Sequence, residues 1–161
     1  RIAWYKVHMP VYFYASWYSS KATDVDVISM IKGYDAIKAR IEDIQVKGYD
    51  ATNKEQGQAE SLKVALEATA RGIVFKNIDL YKSEATTWVC ENDHEIIPPF
   101  SSIEGLGDTV AKTLVEARKN GNFLSIEDVQ KRGKVSGTLI EKMKEMGIFM
   151  DLPDSNQLSL F

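Results

Sequence analysis

Few residues in this chain have types and spacings that suit chemistry. Asp24-Val25-Asp26 places two carboxylates one residue apart, a pair that holds Mg²⁺ when it lies on a strand. Here it precedes a helical pattern, where aspartate commonly caps, and capping is the role assigned. Cys90, His94 and Glu95 are metal-ligating types, but a lone cysteine on a short hairpin marks no metal site. No catalytic and no metal-binding residue is therefore assigned. The segment Ile103-Glu104-Gly105-Leu106-Gly107-Asp108-Thr109-Val110-Ala111 is different. Two glycines flank one apolar residue, so the backbone turns tightly with its N–H groups outward, and a helix starts at once. Unpaired amides at a helix start, with the helix dipole behind them, form an anion site suited to a phosphate. Leu106 anchors this turn in the core. Val110, Leu114 and Val115 point inward, Lys112 lies in the helix's first turns, and Arg118-Lys119 ends it.

A second, less regular copy follows. Ser125 is an N-cap, the acidic Asp128 suits a helix start, and the helix runs to Arg132. Then comes the turn Gly133-Lys134-Val135-Ser136-Gly137 and a helix with Leu139, Met143 and Met146 on one face. Lys131, Arg132 and Lys134 fall within four residues. The pair of copies resembles a tandem helix-hairpin-helix module, a family that grips the phosphates of both DNA strands across the minor groove without reading sequence. On that resemblance Gly105, Leu106, Gly107, Lys112, Lys131, Arg132, Lys134 and Ser136 are the expected DNA-binding residues. The plain alternative is a Gly-Leu-Gly turn that only joins two helices. Between Gly105 and Met150, eight Lys/Arg against six Asp/Glu leave a net charge of +2, so backbone amides must carry much of any phosphate binding.

The elements around these turns can be read from period and punctuation. A helix ends near His8 and a second starts at Pro10, which suits a first turn but not an interior. The second is apolar nearly all round and should be buried or contact another domain. A helical stretch from about Asp26 to Val46 carries Ile37, Ile41 and Ile44 on one face and is broken at Gly33. Lys47-Gly48 is its C-cap. Residues 49–55 read as polar loop. A helix follows from about Gln56 to Ala70, with Leu62, Ala65, Leu66 and Thr69 on one face, and Gly72 ends it. Ile73-Val74-Phe75 is β-like. Residues 86–90 and 94–97 form a hairpin around Glu91-Asn92-Asp93. The fold class is mainly α with a small β-hairpin, in three regions: 1–72, 73–150 and an extended tail, 151–161.

Composition bounds the rest. The chain has 161 residues, 44% hydrophobic and 27% charged, which excludes a disordered chain. A net charge of -3 argues against a wholly electrostatic nucleic-acid binder, but not against a local basic patch. One cysteine excludes a disulfide framework and a CxxC zinc site, so a reducing, cytoplasmic setting is expected. No apolar run is long enough to span a bilayer, and no membrane partner is expected. The chain begins at Arg1 and is read as a piece of something longer.

It ends on Gln157-Leu158-Ser159-Leu160-Phe161, which resembles the short peptide by which bacterial replication proteins dock on the sliding clamp. The alternative is a terminal strand packed on its own domain. Together with Ala3-Trp4-Tyr5-Lys6-Val7-His8-Met9-Pro10, Lys76-Asn77-Ile78-Asp79-Leu80-Tyr81 and Ile97-Pro98-Pro99-Phe100, these pieces resemble the C-terminal end of the PolC-type bacterial DNA polymerase III alpha subunit. The resemblance implies that residues 1–72 end a helical fingers domain, and that residues 73–150 bind duplex DNA. It also implies a clamp-binding tail at Gln157, Leu158, Ser159, Leu160 and Phe161. The parent would be a DNA-directed nucleotidyltransferase using Mg²⁺ on palm aspartates. Those lie upstream, so this piece would need no cofactor and perform no chemistry. Its partners would be duplex DNA, the sliding clamp and the remainder of the alpha subunit. Lys6 and His8 would approach template or nucleotide there, or serve only the helix end. The competing reading is a free-standing DNA-binding scaffold of repair or recombination, which would cover its aromatic first twenty residues. An independent nuclease would need a carboxylate or histidine cluster, which the sequence does not present.

Overall fold

Proline at position 10 cannot continue a preceding helix, and the aromatic stretch accordingly splits into α1 (Ile2–His8) and α2 (Pro10–Ser20). The computed structural model describes residues 2–20, 24–150 and 152–155. These group into two units, one of residues 1–76 with 87–98 and one of residues 77–86 with 99–161.

In the first unit α2 buries Val11, Tyr14, Ala15 and Tyr18 along one face. Trp4, Tyr5 and Tyr12 stay 50%, 52% and 49% exposed, so only one side of this aromatic pair is covered. Asp26 caps α3 (Val27–Lys32) by accepting the Ser29 amide, and it pairs with Arg40 at 3.2 Å. Its carboxylate is thus occupied as a cap. Gly33, at φ +106°, separates α3 from α4 (Tyr34–Lys47), whose Ile37, Ile41 and Ile44 are buried as their spacing predicts. The next helix, α5 (Asn53–Ala70), begins earlier than expected, inside the polar stretch. Thr52 accepts the Glu55 amide while the Glu55 carboxylate reaches back to the Thr52 amide, a capping box that starts the helix there. Its core face is Leu62, Ala65 and Ala68, all fully buried. Leu66 and Thr69, expected on that face, flank it half-buried.

The expected hairpin forms between β2 (Val89–Cys90) and β3 (Glu95–Ile97), with Cys90 opposite Ile96. A third strand, β1 (Val74–Phe75), joins β3 in parallel with Phe75 opposite Ile96, giving the order β1-β3-β2. The sheet belongs with the first unit, and the division expected at residue 72 differs from this one. The cause is aromatic packing. Tyr18 on α2 meets Trp88 at 4.6 Å and Phe75 at 5.7 Å between ring centroids, and all three are buried. The Tyr18 hydroxyl donates to the Ser61 carbonyl, and the Trp88 amide donates to Ser19 Oγ.

The second unit holds a 3-10 turn (Phe100–Ser102), α6 (Asp108–Lys119), α7 (Ile126–Gly133) and α8 (Gly137–Glu145). Its core gathers Phe100, Ile103, Leu106, Leu114, Val129, Ile140 and Met143. On α8, Ile140 is the deeply buried partner of Met143, while Leu139 and Met146 are half-buried. Helices α6 and α7 approach closely at Gly133, where any Cβ would collide with the Leu114 side chain. Among the described residues no helix is long and apolar enough to cross a membrane.

Trp88→Ala should cost the first unit about 3–5 kcal/mol, because it empties the centre of the aromatic cluster. Urea denaturation should show this loss together with faster amide exchange in α2 and α5. A variant as stable as the parent would place the sheet outside that core.

Candidate nucleic-acid interface

The first hairpin is a turn from Ile103 to Leu106, closed by the Leu106 amide donating to the Ile103 carbonyl at 3.1 Å. Gly105 stands at φ +88° in that turn. A positive φ at the third residue, with none at Glu104, defines a type II turn, and glycine is the residue that adopts it without strain. Leu106 is buried and pins the loop. Gly107, at φ -76° and ψ 165°, is the N-cap of α6 and supplies no side-chain hydrogen bond. Among the described residues the amides of Gly105, Gly107 and Asp108 make no hydrogen bond. They are the orphan donors of a helix start.

The second hairpin follows a similar order of conformations with other side chains and a different closing hydrogen bond. Lys134 occupies the left-handed position at φ 55°, ψ 44°. Val135 is buried, with its amide on the Gln130 carbonyl at 3.1 Å. Ser136, at φ -67° and ψ 155°, caps α8 by accepting the Leu139 amide. The two turns share one order: left-handed residue, buried apolar residue, extended N-cap, helix. They differ upstream, since α7 precedes the second and only a 3-10 turn precedes the first.

The start of α7 is closed instead. Ser125 accepts the Asp128 amide. The chain returning from α8 lays the Pro153 carbonyl on the Ile126 amide at 2.8 Å and the Asp154 carbonyl on the Glu127 amide at 3.0 Å. Lys144 pairs with Asp154 at 3.5 Å, and Ser155 donates to Glu127. The tail from residue 151 was expected to be extended. Its residues 153–155 are docked on the start of α7, which has amides for them to satisfy. Residues 156–161, with the expected clamp-binding peptide from Gln157 to Phe161, lie outside the described residues.

The cations divide sharply. Arg132 turns inward: it donates to the carbonyls of Ala117, Gly121 and Asn122, pairs with Asp128 at 3.2 Å, and lies 4.7 Å over the Phe123 ring. It caps the end of α6. Arg118 is likewise spent on the Leu80 and Ser83 carbonyls and on Glu84. Lys131 pairs with Glu127 at 2.7 Å, and that hydrogen bond and charge push its pKa up. Lys112 and Lys134 are exposed and form no ion pair among the described residues. Lys142, which the sequence pattern did not single out, reaches from α8 to the Glu104 carbonyl at 3.1 Å. Leu139 packs beside Gly105, so the start of α8 braces the first hairpin.

One bare and one partly capped helix start, each behind a buried hydrophobic pin, define a class. Residues 72–158 match the helix-hairpin-helix motif family, and the chain belongs to that family. Over its full length the chain is similar to proteins named DNA polymerase III PolC-type. It is 48% identical over 161 residues to that of Listeria welshimeri, 49% to that of Bacillus cereus and 48% to that of Bacillus subtilis. It spans about 11% of the length of each of these relatives.

The two glycines of the first hairpin should respond differently. Gly105→Val forces a branched residue to φ +88° and should cost roughly 1–2 kcal/mol or more. Gly107 has an ordinary φ and open space where a Cβ would stand, so Gly107→Ala should stay near parental stability. Thermal melts of both variants check this, and equal losses would contradict the turn geometry.

Proposed function

We propose that this chain is the C-terminal, duplex-gripping part of a PolC-type replicative DNA polymerase, following the end of its fingers domain. Residues 1–72 form that helical end, and the two hairpins are a tandem helix-hairpin-helix module that holds the phosphates of both strands without reading bases. Gln157, Leu158, Ser159, Leu160 and Phe161 tether the polymerase to the sliding clamp. The piece performs no chemistry, and its setting is the cytoplasm. Nucleotide addition, with its Mg²⁺ and palm aspartates, belongs to the remainder of the alpha subunit. The observation that carries the reading is a pair of helix starts that keep unpaired amides among the described residues, fully at Gly107 and in part beside the Ser136 cap, while the third is closed by Ser125 and the carbonyls of residues 153 and 154. Of the expected contacts, the reading keeps Gly105, Gly107, Lys112, Lys134 and Ser136 as the phosphate-facing residues. Leu106 acts as the buried pin, Lys131 is held by Glu127, and Arg132 serves the end of α6.

The purified chain should bind a labelled duplex weakly, with similar affinity for unrelated sequences, in anisotropy titrations at low salt. Lys134→Ala should weaken binding of every sequence alike and lower the salt slope by about 1. A parent chain with no duplex affinity at low salt would refute the reading.

The tail is tested separately. Leu160→Ala with Phe161→Ala should each lose about 2 kcal/mol or more of clamp binding, which is more than about tenfold per residue. The double variant should keep its duplex affinity and melting temperature, because a terminal peptide adds little to a core. Calorimetric titration against the clamp reads the loss. A double variant that binds like the parent removes the tether from the proposal.

A further inference from the structure

We infer that Lys142 is a positioning residue for the first hairpin, fixing the direction in which the Gly105 amide faces DNA. The inference rests on the duplex-binding reading above. In a type II turn the peptide joining the second and third residues is the one whose orientation defines the turn, and here it joins Glu104 to Gly105. A trans peptide points its C=O and N–H in opposite directions. Whatever holds the Glu104 carbonyl therefore aims the Gly105 N–H the opposite way. Lys142 Nζ donates to that carbonyl at 3.1 Å. The Gly105 N–H makes no hydrogen bond among the described residues.

Lys142 comes from α8, the helix that the second hairpin starts, and Leu139 one turn earlier lies against Gly105. The second copy thereby sets the geometry of the first, which lacks a full helix in front of it. Glycine alone does not fix this peptide, since glycine adopts positive and negative φ with similar ease. An ammonium on the carbonyl removes that freedom before any phosphate arrives. The charge of Lys142 also stands beside the hairpin, but the role assigned is orientation, and the two roles leave different traces.

The test uses the full chain labelled with ¹⁵N. Lys142→Met removes the donor and keeps the stem, and Lys142→Arg restores a donor. In the free protein the Met variant should shift the Gly105 amide resonance and speed its hydrogen exchange, with the melting temperature unchanged. The Arg variant should restore both. With a mixed-sequence duplex, Lys142→Met should weaken binding about fivefold, the scale of one ordinary hydrogen bond's net contribution, with the salt slope unchanged. Arg should recover most of that loss. An unmoved Gly105 amide overturns the inference. A salt slope lowered by about 1 overturns it in favour of direct phosphate contact. If the parent itself fails to bind duplex, the duplex-binding reading falls, and this inference falls with it.

Discussion

Every helix begins with amides that no residue of the helix can satisfy, and the second unit is organised by how it meets that constraint. At α7 the demand is met fully from within, by the Ser125 hydroxyl and by two carbonyls from residues 153 and 154. At α8 it is met in part by Ser136. At α6 it is left to solvent, because Gly107 has no side chain to offer. A helix start left bare carries a partial positive charge with donors aligned on it. Capping it with serine is the ordinary remedy, and this chain uses that remedy in the same unit. Leaving α6 uncapped is thus a local choice of sequence at a place where a buried leucine holds the backbone rigid.

Charge supports this division. Most cations of the unit are committed inside it. Arg132 and Arg118 serve carbonyls at the end of α6 and in the loop before the 3-10 turn, and Lys119, Lys131 and Lys144 pair with acids on their own helices. Exposed pairs of this kind contribute little stability, yet they remove lysines from the outward field. Lys112 and Lys134 escape this pairing, and both sit near a hairpin. A net charge that is modest overall is therefore compatible with a localised positive surface, since position matters more than the sum.

Legibility followed the range of the interactions. Pro10, Gly33 and the Ile37-Ile41-Ile44 face could be read because each acts within a turn or two of its own helix. The Gly-Leu-Gly turn and the Ser125 cap were legible for the same reason. The α5 start at Asn53 was also local, but its Thr52–Glu55 box sits in a stretch whose polarity reads as loop. The parallel pairing of β1 with β3 was not legible, because it joins residues about twenty apart and depends on Tyr18, Phe75 and Trp88 meeting. Arg132 beside Lys131 and Lys134 looks like one basic cluster in sequence. On α7 the adjacent Lys131 and Arg132 point apart, Lys134 stands beyond the helix end, and the carbonyls that end α6 claim the arginine. Lys142 was invisible because only the fold brings α8 to Glu104.

The two hairpins also differ in what their left-handed position accomplishes. Gly105 reaches φ +88° without strain and presents only backbone. Lys134 reaches φ 55° despite its Cβ, at a cost of about 1 kcal/mol or more, and Met150 is its one described non-glycine counterpart. Glycine would close that turn at less cost. What lysine adds is a cation fixed by the backbone at the mouth of a helix start already capped by Ser136. The first turn offers bare amides with Lys142 behind them, and the second offers charge in front of a partly capped helix start. Amides need close, directional approach, whereas an ammonium attracts over several ångströms and tolerates misalignment. Under the duplex-binding reading proposed above, a module built from one of each holds phosphate by geometry at one turn and by field at the other. That combination suits a ligand whose backbone is regular but whose sequence changes at every step.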